Sequence, residues 1–186
     1  FYTEEGREEL PYEVESWDSS GTGTVWVQVP ALEADSDTVI WGYYNGDEAQ
    51  NSTEAVWNPS YALVEHFGDL EFNTDSTGKA DGEAAGALSA EAGRIGEAAV
   101  FNGSQKITYG SLLSNESEFT TSTVVDYGKP GSWAGIAGRD KNGGVKEGDA
   151  YFLGINGGKG QFVGRVYDSN KTSYEVNAPF SEGVHL

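Results

Sequence analysis

A period of two, broken by glycine, constrains this chain more than any other feature. In TVWVQVP, Val25, Val27 and Val29 alternate with Thr24, Trp26 and Gln28. That spacing places the valines on one face of a half-buried strand. PYEVESW sets Tyr12 and Val14 opposite Glu13, Glu15 and Trp17, and FTTSTVVDY aligns Phe119, Thr121, Thr123, Val125 and Tyr127. DTVIWGYY and YALVEHF read as further strands. AYFLGI and QFVGRVY flank Asn156-Gly157-Gly158 and predict a hairpin. The Ala-rich stretch GEAAGALSAEAG carries one large apolar residue, Leu88, and is interrupted by glycine, so it reads as a loop with at most one short turn. The expected fold class is all-β: an antiparallel β-sandwich preceded by a smaller β domain.

Small residues crowd AEAGRIGEAAVFNGSQKITYG, and a phosphate-binding loop is the first chemistry to test. A P-loop needs Lys and Ser or Thr directly after its last glycine. Here Gly96 precedes Glu97, and Gly103 precedes Ser104-Gln105-Lys106. A dinucleotide loop needs a third glycine and a following helix, and both are missing. Close packing is the remaining reason for the small residues, with Asn102-Gly103 supplying a tight turn at positive φ between AAVF and KITY.

Charge narrows the partners. Thirty Asp and Glu against eleven Lys and Arg give a net charge of -19. Such a surface repels nucleic-acid phosphates and anionic lipids. The acids are spread along the chain, as on a protein of salt-rich surroundings, where screening removes their mutual repulsion. No apolar run approaches the ~20 residues that span a bilayer, so no membrane insertion is expected. With no cysteine, disulfides and thiolate metal sites are impossible. Sequons begin at Asn51, Asn102, Asn115 and Asn170, as expected of an exported glycoprotein; Pro59 blocks a fifth at Asn58.

Two motifs bear on chemistry. Glu13 and Glu15 share a strand face, as the paired carboxylates of a glycoside hydrolase do. One such pair is expected by chance among thirty acids, so a solvated acidic face is the expected reading, and His66 and His185 define no triad. No catalytic residue is expected. Asp69, Glu71, Asn73 and Asp75 present oxygens at alternate positions, suited to a hard cation such as Ca²⁺. It is not an EF-hand, since Thr74 and Ala80 stand where glycine and glutamate belong. An ordinary acidic loop accounts for the same residues; if a calcium site exists, Asp69 or Asp75 is its expected ligand.

The order of YALVEHFGD, DSTGKADGEAAGA, GRIGEAAVFNGSQKITYG, EFTTSTVV and AYFLGINGGKGQFVGRV resembles laminin-G-like, concanavalin A-like jelly-roll domains over residues 60–186. LPYEVESWDSSGTGTVWVQVPAL followed by TVIWGYYNG resembles the C-terminal half of domain-of-unknown-function family 2341 over residues 1–59. Together these imply two domains, 1–59 and 60–186, with strands continuing beyond both ends. Sheet edges near Phe1 and Leu186 would then be paired by another segment or subunit. The repeated alternation, the turn-rich composition and this order of segments together predict burial of Phe101, Phe119, Val125, Leu153, Ile155 and Phe162. The resemblance also implies a non-enzymatic extracellular module for adhesion or carbohydrate recognition, within a larger surface protein or virion appendage. The partners would be cell-surface glycans or surface proteins. Trp133 and Tyr174 are the aromatic candidates for stacking on sugar rings. The alternatives are a structural subunit that assembles through sheet edges into a homo-oligomer or larger assembly, and a glycoside hydrolase.

The charge generates the first prediction. Thermal stability should rise between low and multimolar KCl as carboxylate repulsion is screened. A melting temperature that stays flat or falls contradicts adaptation to salt.

Overall fold

The computed structural model describes residues 1–3, 8–18, 21–44, 53–68, 74–110, 112–113, 116, 118–128, 130–139, 151–168, 170, 172–181 and 183–185. Its regular secondary structure is almost entirely strand, every paired set antiparallel. Contacts divide the chain into two compact units, Phe1–Leu112 and Leu113–Leu186. Residue 59 therefore falls inside the first unit. No helix among the described residues is long and apolar enough to cross a membrane.

The first unit opens with β1 (Tyr2–Thr3), β2 (Tyr12–Ser16), β3 (Thr24–Val27) and β4 (Ile40–Trp41). β2 and β3 pair, with an irregularity between Val14 and Ser16, and β1 pairs with β4. One helical turn, α1 (Thr53–Val56), follows. The expected strand in YALVEHF does not form; residues 61–68 join no ladder. Next come β5 (Gly82–Ala85), β6 (Ser89–Ala92), β7 (Glu97–Val100) and β8 (Lys106–Tyr109). The Ala-rich stretch expected to be a loop thus supplies two strands. Alanine's weak strand preference is overridden because EAAV and KITY fold back onto it and complete its hydrogen bonds.

These four strands form one long ribbon. β6 and β7 make the inner hairpin, and β5 and β8 pair outside it. At the tip, the Gly93 amide donates to the Gly96 carbonyl at 3.0 Å, and Gly96 has φ 55°. A side chain at Gly96 would run into the Glu15 carboxylate, so glycine meets both demands. Midway, residues 86–88 face residues 101–105 across an enlarged bulge. Asn102-Gly103 sits there, with Gly103 at the expected positive φ of 92°. AAVF and KITY, however, pair with different strands and not with each other. Gln105 bridges the gap: its Oε1 accepts from the Asn102 amide at 2.8 Å, and its Nε2 donates to the Ala87 carbonyl at 3.1 Å.

The second unit contains β9 (Val125–Tyr127), β10 (Trp133–Arg139), β11 (Tyr151–Asn156), β12 (Gln161–Tyr167), β13 (Ser173–Pro179) and β14 (Gly183–His185). β10 to β13 form a four-stranded meander, and β14 pairs with β9. The hairpin predicted around Asn156-Gly157-Gly158 is present between β11 and β12. Its turn is held by the Lys159 amide, which donates to the Asn156 carbonyl at 3.1 Å. Only Val125–Tyr127 of the long strand expected from Phe119 joins a ladder. Ile155 and Val163 are fully buried, on opposite faces of the meander. Of the residues expected in the core, Val125, Leu153 and Phe162 are half-buried. Phe101 and Phe119 are exposed, at 46% and 40%. Each instead meets one aromatic neighbour: Phe101 lies edge-on to Phe67, and Phe119 is tilted against Tyr151.

Two glycines predict different costs. Around Gly103 there is open space, so Gly103→Val should cost only the backbone strain of positive φ, about 1–2 kcal/mol. At Gly157 a side chain would collide with the Pro130 and Ser132 carbonyls, so Gly157→Ala should cost more, roughly 2–3 kcal/mol. Chemical denaturation of both variants measures the order; equal or reversed costs contradict it.

Candidate functional site

Two polar clusters stand out, one in each unit. In the first, the period of β2 sends Glu13 and Glu15 to the same side. His66 lies between them, with Nε2 3.3 Å from Glu13 Oε2 and Nδ1 3.7 Å from Glu15 Oε2. Trp57 Nε1 donates to Glu13 Oε2 at 2.7 Å, and Ser76 Oγ donates to Glu13 Oε1 at 2.6 Å. Trp26 Nε1 donates to Glu15 Oε2 at 2.6 Å. The imidazole stacks on Trp26, with ring centres 5.2 Å apart, and is tilted against Trp57 at 5.7 Å. The space between the carboxylates, which a glycosidic bond would have to enter, is filled by the protein's own histidine.

Both neighbouring acids are equally committed. Asp75 Oδ1 accepts from the Val64 and Thr77 amides, and Oδ2 accepts from Thr77 Oγ1 and the Lys79 and Ala80 amides. Five donors thus converge on a carboxylate that offers about four lone-pair sites. Glu65 accepts from the Tyr109 hydroxyl at 2.6 Å. Among the described residues no group of three His, Asp or Glu is arranged to hold a metal ion. Asp69 lies outside the described residues, as do the sequon asparagines Asn51 and Asn115. Asn102 and Asn170 are exposed. Of His185, only the backbone position in β14 is described.

Burial acts on three carboxyl groups in the same direction, and their hydrogen bonds decide the net shift. Burial pushes Glu13 up, but hydrogen bonds from His66, Ser76 and Trp57 outweigh it and hold the group below its ordinary value of 4.5. Burial also pushes Asp75 up, and the Thr77 hydroxyl with the surrounding amides brings it below 3.8. For Glu65, burial wins over the Tyr109 and Phe67 hydrogen bonds, and the group lies above 4.5.

The second cluster is open. Cross-strand register puts Trp133, Phe152, Arg165, Tyr167, Glu175 and Asn177 on one face of the β10–β13 sheet. Trp133 is 49% exposed. Phe152 meets it edge-on, with ring centres 6.0 Å apart, and the Arg165 guanidinium lies 5.1 Å from its ring centre. Arg165 Nε donates to Glu175 Oε2 at 2.8 Å, and Nη2 donates to the same oxygen. Arg165 Nη1 reaches the Tyr167 hydroxyl at 3.3 Å, and Asn177 Nδ2 donates to Glu175 Oε1 at 3.0 Å. Gly154 makes this crowding feasible, because a side chain there would strike the Phe152 ring and the Ala134 carbonyl. Burial works against the Arg165 charge, but the bonds to Glu175 and Tyr167 outweigh it and hold the guanidinium above its ordinary value. Hydrogen bonds from Asn177 and Arg165 hold Glu175 below its own.

The two aromatic candidates are not brought together. Tyr174 is 58% exposed but lies one residue out of phase with Glu175, on the opposite face of the sheet. Arg165, Glu175 and Asn177 were missed by sequence reasoning. Their alternation in QFVGRVY and TSYEVNAP was the available signal.

Residues 1–80 match the model of a family described as a domain of unknown function, DUF2341. The matched span contains Glu13, Glu15, Trp26, Trp57, His66 and Ser76, all the residues of the buried cluster that meet at the two glutamates. No curated protein and no solved structure matches the chain.

The opposed carboxyl shifts give a signed pH prediction. The contribution of Glu13 and Asp75 is complete above 4.5 and 3.8, and is lost as pH falls through their lower folded values. Glu65 has the opposite sign: its cost is full above its raised folded value and is relieved as pH falls towards 4.5. Glu65→Gln should therefore be stabilising near pH 7 relative to its effect at pH 4, and it should leave the acid-side loss intact. Melts across pH 3–8 read this; a Glu65→Gln effect independent of pH contradicts it.

Proposed function

We propose that the Trp133 face of the β10–β13 sheet recognises carbohydrate, in a non-enzymatic extracellular module of a larger surface protein or virion appendage. The observation that carries this is the half-exposed Trp133 ring beside a fixed Arg165–Glu175–Asn177 network. An indole presents an apolar plane to the C–H face of a sugar, while amide, carboxylate and guanidinium groups at its rim meet hydroxyls. Arg165 already covers part of the indole, so a ligand would engage the remaining exposed surface. The finer architecture belongs to the same proposal: the meander serves as one layer of a concanavalin A-like sandwich, a reading supported by the antiparallel pairing and by the order of the family-like segments. The net charge of -19 favours salt-rich surroundings, and the exposed Asn102 and Asn170 suit glycosylation outside the cell.

A second reading has its own observation. β13 ends the meander, and every one of its residues is exposed, with Val176 at 74%. Such an edge favours assembly between copies through strand pairing. Sedimentation at rising concentration tests it: self-association abolished by Val176→Lys supports this reading, and a monomer at all concentrations rejects it.

The primary reading is tested by titrating neutral oligosaccharides in salt. Trp133→Ala should weaken binding about tenfold or more, near 1.4 kcal/mol, while Tyr174→Ala on the opposite face should leave it unchanged. Retained affinity in Trp133→Ala, or loss in Tyr174→Ala, places the ligand elsewhere.

A further inference from the structure

Arg165 is the obvious anchor for an acidic sugar, because a guanidinium fork matches a carboxylate or sulfate. The structure gives that fork another occupant. Nε and Nη2 both donate to Glu175 Oε2, which fills the side-on edge, and Nη1 is directed to Tyr167. Glu175 is itself fixed from its other oxygen by Asn177. The pair is a cross-strand neighbour in the β12–β13 ladder, so backbone register holds it in place.

We propose that Glu175 sets the charge selectivity of the Trp133 face: by filling the Arg165 fork it reserves the site for uncharged sugars and refuses uronic and sulfated ones. The proposal rests on the carbohydrate reading. A free Arg165 beside an indole would be a general anion receptor, whereas the paired one is a rigid rim of hydrogen-bonding groups with no net charge. The unit that carries the site, Leu113–Leu186, has nine Asp and Glu against seven Lys and Arg, so its long-range repulsion of anions is weak and salt screens it further. Close-range refusal by Glu175 is expected to persist at high salt, because it depends on an occupied fork and not on the field.

The experiment compares a neutral hexasaccharide panel with oligogalacturonate and sulfated oligosaccharides at 0.15 M and roughly 1 M KCl, salt levels that bracket full screening. It uses the wild-type chain, Trp133→Ala, Glu175→Ala, Glu175→Gln, and Glu175→Ala combined with Arg165→Gln. Circular dichroism of each variant confirms that the fold is retained. The expected result is that the wild type binds a neutral glycan through Trp133, and Glu175→Ala gains at least tenfold for an acidic one. Glu175→Gln should gain less, because its amide oxygen still occupies the fork. The gain should vanish in the double variant, which separates a freed Arg165 from general charge relief. Trp133-dependent neutral binding with no acidic gain in Glu175→Ala overturns this inference alone. So does an acidic gain that survives loss of Arg165, or a wild type that binds acidic glycans at either salt. A wild type that binds no glycan at all overturns the carbohydrate reading and the inference with it.

Discussion

The buried carboxylate of Glu13 is the constraint on which the first unit depends. It takes hydrogen bonds from Trp57, His66 and Ser76, groups that stand 44, 53 and 63 residues away in sequence. A charge removed from water costs several kcal/mol unless its oxygens are satisfied, so the three donors must arrive together or not at all. That requirement ties β2 to the residue after α1, to the strandless segment 61–68 and to the loop after residue 74. Glu15, one period along, repeats the device with Trp26 and has the ribbon tip at Gly96 beside it. The acids that resemble a catalytic pair in sequence thus serve as the unit's internal scaffold.

The second unit solves a different problem. Its meander needs no buried charge, because backbone ladders and the fully buried Ile155 and Val163 supply cohesion. Polar groups can therefore be held at its surface. Glycine at 154 clears room for the Phe152 ring, and the ladder delivers Arg165 and Glu175 side by side. A rigid sheet with one open aromatic is a better recognition surface than a closed cluster, since neither backbone nor rotamers must be ordered on binding.

Legibility followed the range of the interactions. TVWVQVP and the AYFLGI–QFVGRVY hairpin were readable because period and turn are local. The positive φ of Gly103 was readable for the same reason. The strands at Gly82–Ala85 and Ser89–Ala92 were hidden, because alanine carries little strand signal and their hydrogen bonds come from the returning arm. FTTSTVV alternates as a strand should, yet most of it joins no ladder, since alternation marks a capacity to pair and not a partner. The face of Trp133 was visible as one exposed aromatic. Its polar rim required the register of β12 against β13, which can be counted outward from the intervening turn once both strands are placed. The burial of Glu13 was beyond reach, because its three partners lie in segments whose approach no local pattern announces.

The division of labour between a closed cluster and an open face can be tested in one spectrum. The chain has five tryptophans, at 17, 26, 41, 57 and 133, and each indole N–H gives its own ¹H–¹⁵N signal. On titration with a neutral oligosaccharide at high salt, the Trp133 signal should move. Those of Trp26 and Trp57, locked onto Glu15 and Glu13, and of the exposed Trp17 and Trp41, should stay fixed. Movement of Trp26, Trp57, Trp17 or Trp41 with Trp133 unchanged would contradict the account, and place recognition in the first unit.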